Sequence, residues 1–156
     1  MNYLKLQTDI LKALDKEKTR NIVSPYRYAL YRSVEDLNYV IIFNTYSAIY
    51  IRSDLFFLDL DKVSSTPVMY RDHFFNEDKA IPTVTEGLTK PVLGTKKRLQ
   101  IFTNVNGEIV VDTDLLKYFD LKNATFKGTD GKSPVFIYED DILVGVVLPV
   151  VQKRKE

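Results

Sequence analysis

Apolar and polar residues alternate over short runs through most of the chain, and this two-residue rhythm predicts strands. Tyr3-Leu4-Lys5-Leu6-Gln7 has it and reads as a half-buried strand. Tyr26–Val34, Tyr39–Phe43 and Ala48–Arg52 are rich in Tyr, Val, Ile and Phe, which favour pleated, half-buried positions. The polar pieces Glu35-Asp36-Leu37-Asn38 and Asn44-Thr45-Tyr46-Ser47 divide them as turns. The same pattern returns late in the chain. Leu99–Val105 and Glu108–Val111 flank Asn106-Gly107, a strong hairpin signal. Ala124–Lys127, Val135–Tyr138 and Ile142–Val151 follow, separated by Gly128-Thr129-Asp130-Gly131 and Glu139-Asp140-Asp141, residues that turns favour. The last run is nearly continuous and apolar, so it is expected to be buried on both faces or docked. Pro149 cannot donate a ladder hydrogen bond, so pairing must weaken there.

Two stretches change period. After Thr8, whose hydroxyl is suited to capping, Asp9 to about Lys18 places Ile10, Leu11 and Leu14 on one helical face. Lys12, Lys16 and Arg20 fall nearly opposite, with Asp15 and Glu17 on the flanks. A second helix is predicted at about Asp114–Leu121, with Leu115, Leu116 and Phe119 on its apolar face. Thr8-Asp9-Ile10-Leu11-Lys12-Ala13-Leu14-Asp15 and Thr113-Asp114-Leu115-Leu116-Lys117-Tyr118-Phe119-Asp120 are near copies, and Lys117 takes the place of Lys12. The expected fold class is therefore α+β: duplicated β-α-β-β-β units with two helices packed on antiparallel sheets. Residues 1–60 form the first half and 99–156 the second. A Pro-, Thr- and Ser-rich connector, 61–98, joins them in one domain spanning 1–156. Each lysine-bearing face reads either as a solvated surface or as a basic stripe presented to a phosphate backbone.

Composition narrows the chemistry. The 156 residues suit a single domain, and the net charge of +1 makes any basic surface a local one. With no Cys there is no disulfide, thiolate nucleophile or Cys-based zinc site. No apolar run reaches the roughly 20 residues needed to span a bilayer, and Met1–Asp9 lacks the pattern of a signal peptide. A cytoplasmic, non-membrane protein is the expectation. The only histidine, His73, follows Asp72, but adjacent side chains on an extended chain point apart. With no nucleophile–base spacing in view, no enzymatic activity, cofactor or metal is expected. Asp59 and Asp61 read as a solvated edge and Glu139-Asp140-Asp141 as a hairpin tip rather than as metal ligands. The tyrosines of the first half read as sheet residues with wet hydroxyls more readily than as base-stacking platforms.

The doubled strand–helix units, with Val110–Phe119, Lys132–Ile137 and the ending Val146-Val147-Leu148-Pro149-Val150, resemble one domain of a DNA sliding clamp, the processivity factor of replicative polymerases. The resemblance implies a non-enzymatic, DNA-associated processivity or scaffold protein whose helices face double-stranded DNA. It places Lys12, Lys16, Arg20, Lys117 and Lys122 at phosphate contacts that carry no sequence information. Lys122 projects about 140° from Lys117 on a helix and is the weaker candidate. It places Val147, Leu148 and Pro149 beside the groove that takes peptides of replication or repair proteins. A ring would need several copies joined through edge strands, since bacterial clamp subunits carry three such domains and this chain has room for one. The alternative is a protein-interaction module, an adaptor or an inhibitor encoded by a mobile element, that keeps the fold without encircling DNA.

Overall fold

The computed structural model describes residues 1–32, 37–65, 77–87 and 89–151. Asp72, His73 and the basic Lys153-Arg154-Lys155 tail lie outside these residues. Helix α1 spans Tyr3–Arg20, and its cap is Asn2, whose side chain accepts from the Lys5 amide at 3.0 Å. The strand expected over Tyr3–Gln7 is thus the first turns of a helix. Leu6, Ile10, Ala13 and Leu14, with Tyr3, recur at three- and four-residue spacing and lie against one core. That stripe outweighs a five-residue alternation, because it buries apolar area over about three turns. Thr8 is no cap; it sits inside α1 and donates its hydroxyl to the Leu4 carbonyl at 2.8 Å.

The strands are β1 (Arg27–Arg32), β2 (Asn38–Asn44), β3 (Ser47–Arg52), β4 (Ser64–Ser65), β5 (Ile81–Thr83), β6 (Thr89–Pro91), β7 (Arg98–Asn104), β8 (Gly107–Asp112), β9 (Ala124–Gly128), β10 (Val135–Glu139) and β11 (Ile142–Val147). Eight of them form one sheet in the order β4-β1-β2-β3-β11-β10-β9-β5, and β6-β7-β8 form a second. The large sheet is two antiparallel meanders, β1-β2-β3 and β9-β10-β11, joined where β3 pairs with β11 through Ile49↔Gly145, Ala48↔Val146 and Ser47↔Val147. The connector supplies the outer strands β4 and β5 of the large sheet, and β6 of the small one. The protein is therefore α+β.

Alternation along the strands sends residues to two cores. Val40, Ile42, Ile49, Ile51, Val135 and Ile137 meet Leu6 and Ile10 of α1 and Phe102, Ile109 and Val111 of the small sheet. Ile41, Tyr50, Phe136 and Val146 pack together in the other. Beyond β11 the chain leaves the sheet, as Pro149 requires. The Leu148 amide donates to the Tyr46 carbonyl at 2.8 Å and the Val150 amide to the Val110 carbonyl at 2.7 Å, so this segment ties the two sheets together.

The second expected helix, Asp114–Leu121, is a single 3-10 turn, Thr113–Leu116, followed by further turns. Leu116, Tyr118 and Phe119 are all buried. On an α-helix Leu116 and Tyr118 would point about 160° apart, so one would have to leave the core. The looser turn, with the Phe119 amide donating to the Leu116 carbonyl, admits all three. Among the described residues α1 is accordingly the one α-helix, and two helices side by side are not what covers the sheet.

Candidate functional site

At the end of α1, Asn21 adopts the left-handed conformation, with φ 55°, and the Ile22 amide returns to the Lys16 carbonyl. Asn tolerates this better than most residues because its short polar side chain bonds locally. The reversal runs Ile22–Tyr26 back along the helix as a second wall. That wall is braced: the Tyr26 amide donates to the Ser24 hydroxyl at 3.2 Å, and one nitrogen of Arg27 donates to the Ser24 and Tyr26 carbonyls, each at 3.0 Å.

Between the walls lies a groove of about 350 Å³. Asp9, Lys12, Ala13 and Lys16 line it from α1, Ile22–Tyr26 from the returning chain, and Lys117 from the segment after the 3-10 turn. Three lysines thus face one carboxylate. Lys12 and Lys16 are exposed, and neither forms an ion pair among the described residues. Asp9 is engaged: the buried Tyr118 hydroxyl donates to its Oδ2 at 2.5 Å, and Lys117 Nζ lies 3.7 Å from the same oxygen. Lys117 also stands 5.1 Å from the centre of the Tyr118 ring, within cation–π range. The Tyr26 hydroxyl, 3.4 Å from that of Tyr118, backs the arrangement. Burial, first, and the hydrogen bonds to Asp9 and Tyr26, second, hold the Tyr118 phenol well above the ordinary tyrosine range.

The expected site residues therefore divide. Lys12, Lys16 and Lys117 come together on one groove. Arg20, the last residue of α1, is exposed and does not line it. Lys122 does not line it; with Thr113, Phe119 and Asp120 it lines a second depression of about 390 Å³, and Lys117 stands between the two and lines both. Val147, expected at a partner surface, is instead fully buried, because it is an inward position of β11 flanked by Ser47 and Val135. Leu148 and Pro149 are half-buried, and Val150 and Val151 after them are exposed.

Sequence reasoning missed Tyr26 and Tyr118, which reach the site from opposite ends of the chain. Lys5, which a strand reading removes from the helix, shares the lysine-bearing face of α1 but does not line the groove. Counted on α1, Lys5, Lys12 and Lys16 fall within about 20° of one line; a helix read from Tyr3 would have included it. Asp59 Oδ1 accepts from the Asp61 amide at 3.0 Å at the start of a 3-10 turn. Among the described residues no cluster of three or more His, Asp or Glu has metal-binding proximity, and no helix is long and apolar enough to cross a membrane. No protein-family model, curated protein or solved structure matches the chain.

Proposed function

We propose that the protein is a non-enzymatic, DNA-associated scaffold of clamp-like type that lays α1 and the Lys117 turn against the phosphate backbone of double-stranded DNA. The observation that carries this is the convergence of Lys12 and Lys16, without an ion pair among the described residues, beside an Asp9-held Lys117 on one groove in a chain of net charge +1. Ammonium groups gathered on one surface attract phosphates by releasing counterions, without reading sequence. The paired meanders around β3 and β11 support a duplicated architecture. Contact along one face, rather than a closed ring, is the reading favoured here. The outer strands of the large sheet are two and three residues long, and β5 contains Pro82, so neither offers a long ladder to another copy.

Anisotropy of a short labelled duplex, read at about 50 and about 200 mM salt, tests it. Wild type binds at the lower salt and weakens steeply at the higher. The variant Lys12→Ala/Lys16→Ala loses most of that affinity, while Lys132→Ala, in the turn before β10, loses little. No binding at the lower salt, or equal losses in both variants, overturns the reading.

A second reading, a protein-interaction module, rests on a different surface. Tyr46, Val150 and Val151 are exposed beside half-buried Leu148 and Pro149, and the Leu148 amide bonds to Tyr46. Such a run suits a replication or repair protein or another partner. Capture of a defined partner that is lost in Tyr46→Ser/Val151→Ser, with DNA binding absent, would favour it over the first.

A further inference from the structure

The groove holds three lysines, yet one of them already has an anion. Asp9 Oδ2 lies 3.7 Å from Lys117 Nζ and accepts from Tyr118 at 2.5 Å. The two partners are unequally held. The Tyr118 side chain is buried and abuts the Tyr26 hydroxyl, so the carboxylate it holds is fixed. Lys117 is 42% exposed at its side chain, against 22% for Asp9, so its ammonium is the part free to swing. Asp9 and Lys117 come from corresponding halves of the sequence repeat, but they are not equivalent positions: Asp9 matches Asp114, and Lys117 matches Lys12.

We propose that Asp9 sets the affinity of the groove, as an internal anion that competes with a backbone phosphate for Lys117. This rests on the DNA-binding reading above. In wild type, Lys12 and Lys16 are the groove's lysines without an ion pair among the described residues, and a phosphate reaches Lys117 only by displacing a carboxylate. While Asp9 keeps Lys117, that lysine neutralises no phosphate and releases none of the counterions condensed on the duplex, so it adds little to affinity or to its salt dependence. Asp9 thereby holds binding weak and reversible, as suits a scaffold that must move along or leave the duplex.

The test is a double-mutant cycle on duplex binding across a salt series, with Asp9→Asn, Lys117→Ala and both together. Asparagine keeps an oxygen to accept from Tyr118 while removing the charge, and circular dichroism with thermal melting checks that each variant is folded. Asp9→Asn is expected to bind more tightly and to steepen the slope of log affinity against log salt by about 0.9, the value for one added phosphate contact. Its advantage over wild type then shrinks about threefold between about 50 and about 200 mM salt. Lys117→Ala alone changes the slope little, but in the Asp9→Asn background it removes the gain. If wild type binds and Asp9→Asn leaves the slope unchanged, the inference fails and the DNA reading stands. A gain in Asp9→Asn that survives Lys117→Ala also overturns it, since the gain is then general charge. If neither wild type nor Asp9→Asn binds at low salt, both readings fall.

Discussion

The ring of Phe119 occupies the space where Gly145 would carry a side chain: a Cβ there would lie 2.2 Å from Phe119 Cζ and 2.4 Å from Cε1. Gly145 is in β11, at the junction with β3, where it pairs with Ile49. Its lack of a side chain lets an aromatic ring from the Lys117 turn lie directly on the sheet. Gly145→Ala is expected to cost about 1–3 kcal/mol, because overpacking forces the ring off its position. Urea titration measures this, and Phe119→Leu in the same background should recover part of the loss. Additive losses would mean that the ring is not what the added Cβ meets, and no loss in Gly145→Ala that the ring moves aside freely.

Gln7 is a buried polar residue on the apolar side of α1. Its Nε2 donates to the Tyr3 and Leu55 carbonyls at 3.3 and 3.2 Å, and its Oε1 accepts from the Phe57 amide at 2.8 Å. The amide therefore pins the segment after β3 to the helix. Gln7→Leu keeps the volume but strands those backbone groups, and should cost about 1–3 kcal/mol. Hydrogen exchange at Phe57 gives the local readout: the amide should exchange faster in the variant well below the unfolding transition. An unchanged rate would show that the segment is held by packing alone.

Alkaline stability follows from Tyr118. Burial, then its bonds to Asp9 and Tyr26, raise its phenol above the unfolded value of 10.0. Between the two values the unfolded chain has lost the proton and the folded chain keeps it, so stability falls as pH rises. The contribution is fully present below pH 10.0 and is lost above it. Tyr3 and Tyr138 shift the same way, through burial first and then the nearby carboxylates of Glu139 and Glu77. Tyr118→Phe should therefore melt lower than wild type near neutrality, having lost a hydrogen bond to a carboxylate, yet decline less steeply above about pH 10. Parallel decline in a pH series of melting curves would count against the assignment to Tyr118.

The strands were legible because their signals are local. The turns at Asn44–Ser47, Asn106-Gly107 and Glu139–Asp141 separate β2 from β3, β7 from β8 and β10 from β11, as alternation and turn chemistry predict. Helical segments were harder. Tyr3–Gln7 alternates for five residues, but the stripe through Leu6 and Ile10 becomes visible only when the window extends to Leu14. Within the site, Lys12, Lys16 and Lys117 could be named from spacing and repeat. Asp9–Tyr118, 109 residues apart in sequence, could not, since nothing local encodes a contact between the first helix and a late turn.

The repeat gives the sharpest mutational contrast. Leu11 and Leu116 are matched positions of Thr8–Asp15 and Thr113–Asp120, so structurally equivalent copies would bury both alike. Leu11 is 50% exposed on α1, whereas Leu116 is 3% exposed at the end of the 3-10 turn. The neighbouring pair is reversed: Ile10 is fully buried, and its counterpart Leu115 only partly so. An α-helix and a 3-10 turn advance differently per residue, so the same letters present different side chains inward. Leu116→Ala should consequently cost about 2–5 kcal/mol and Leu11→Ala less than about 0.5 kcal/mol. Denaturant midpoints of the two variants, read at a common slope, decide the matter. Similar losses would mean that the two copies occupy equivalent environments in solution and that the second segment is helical after all.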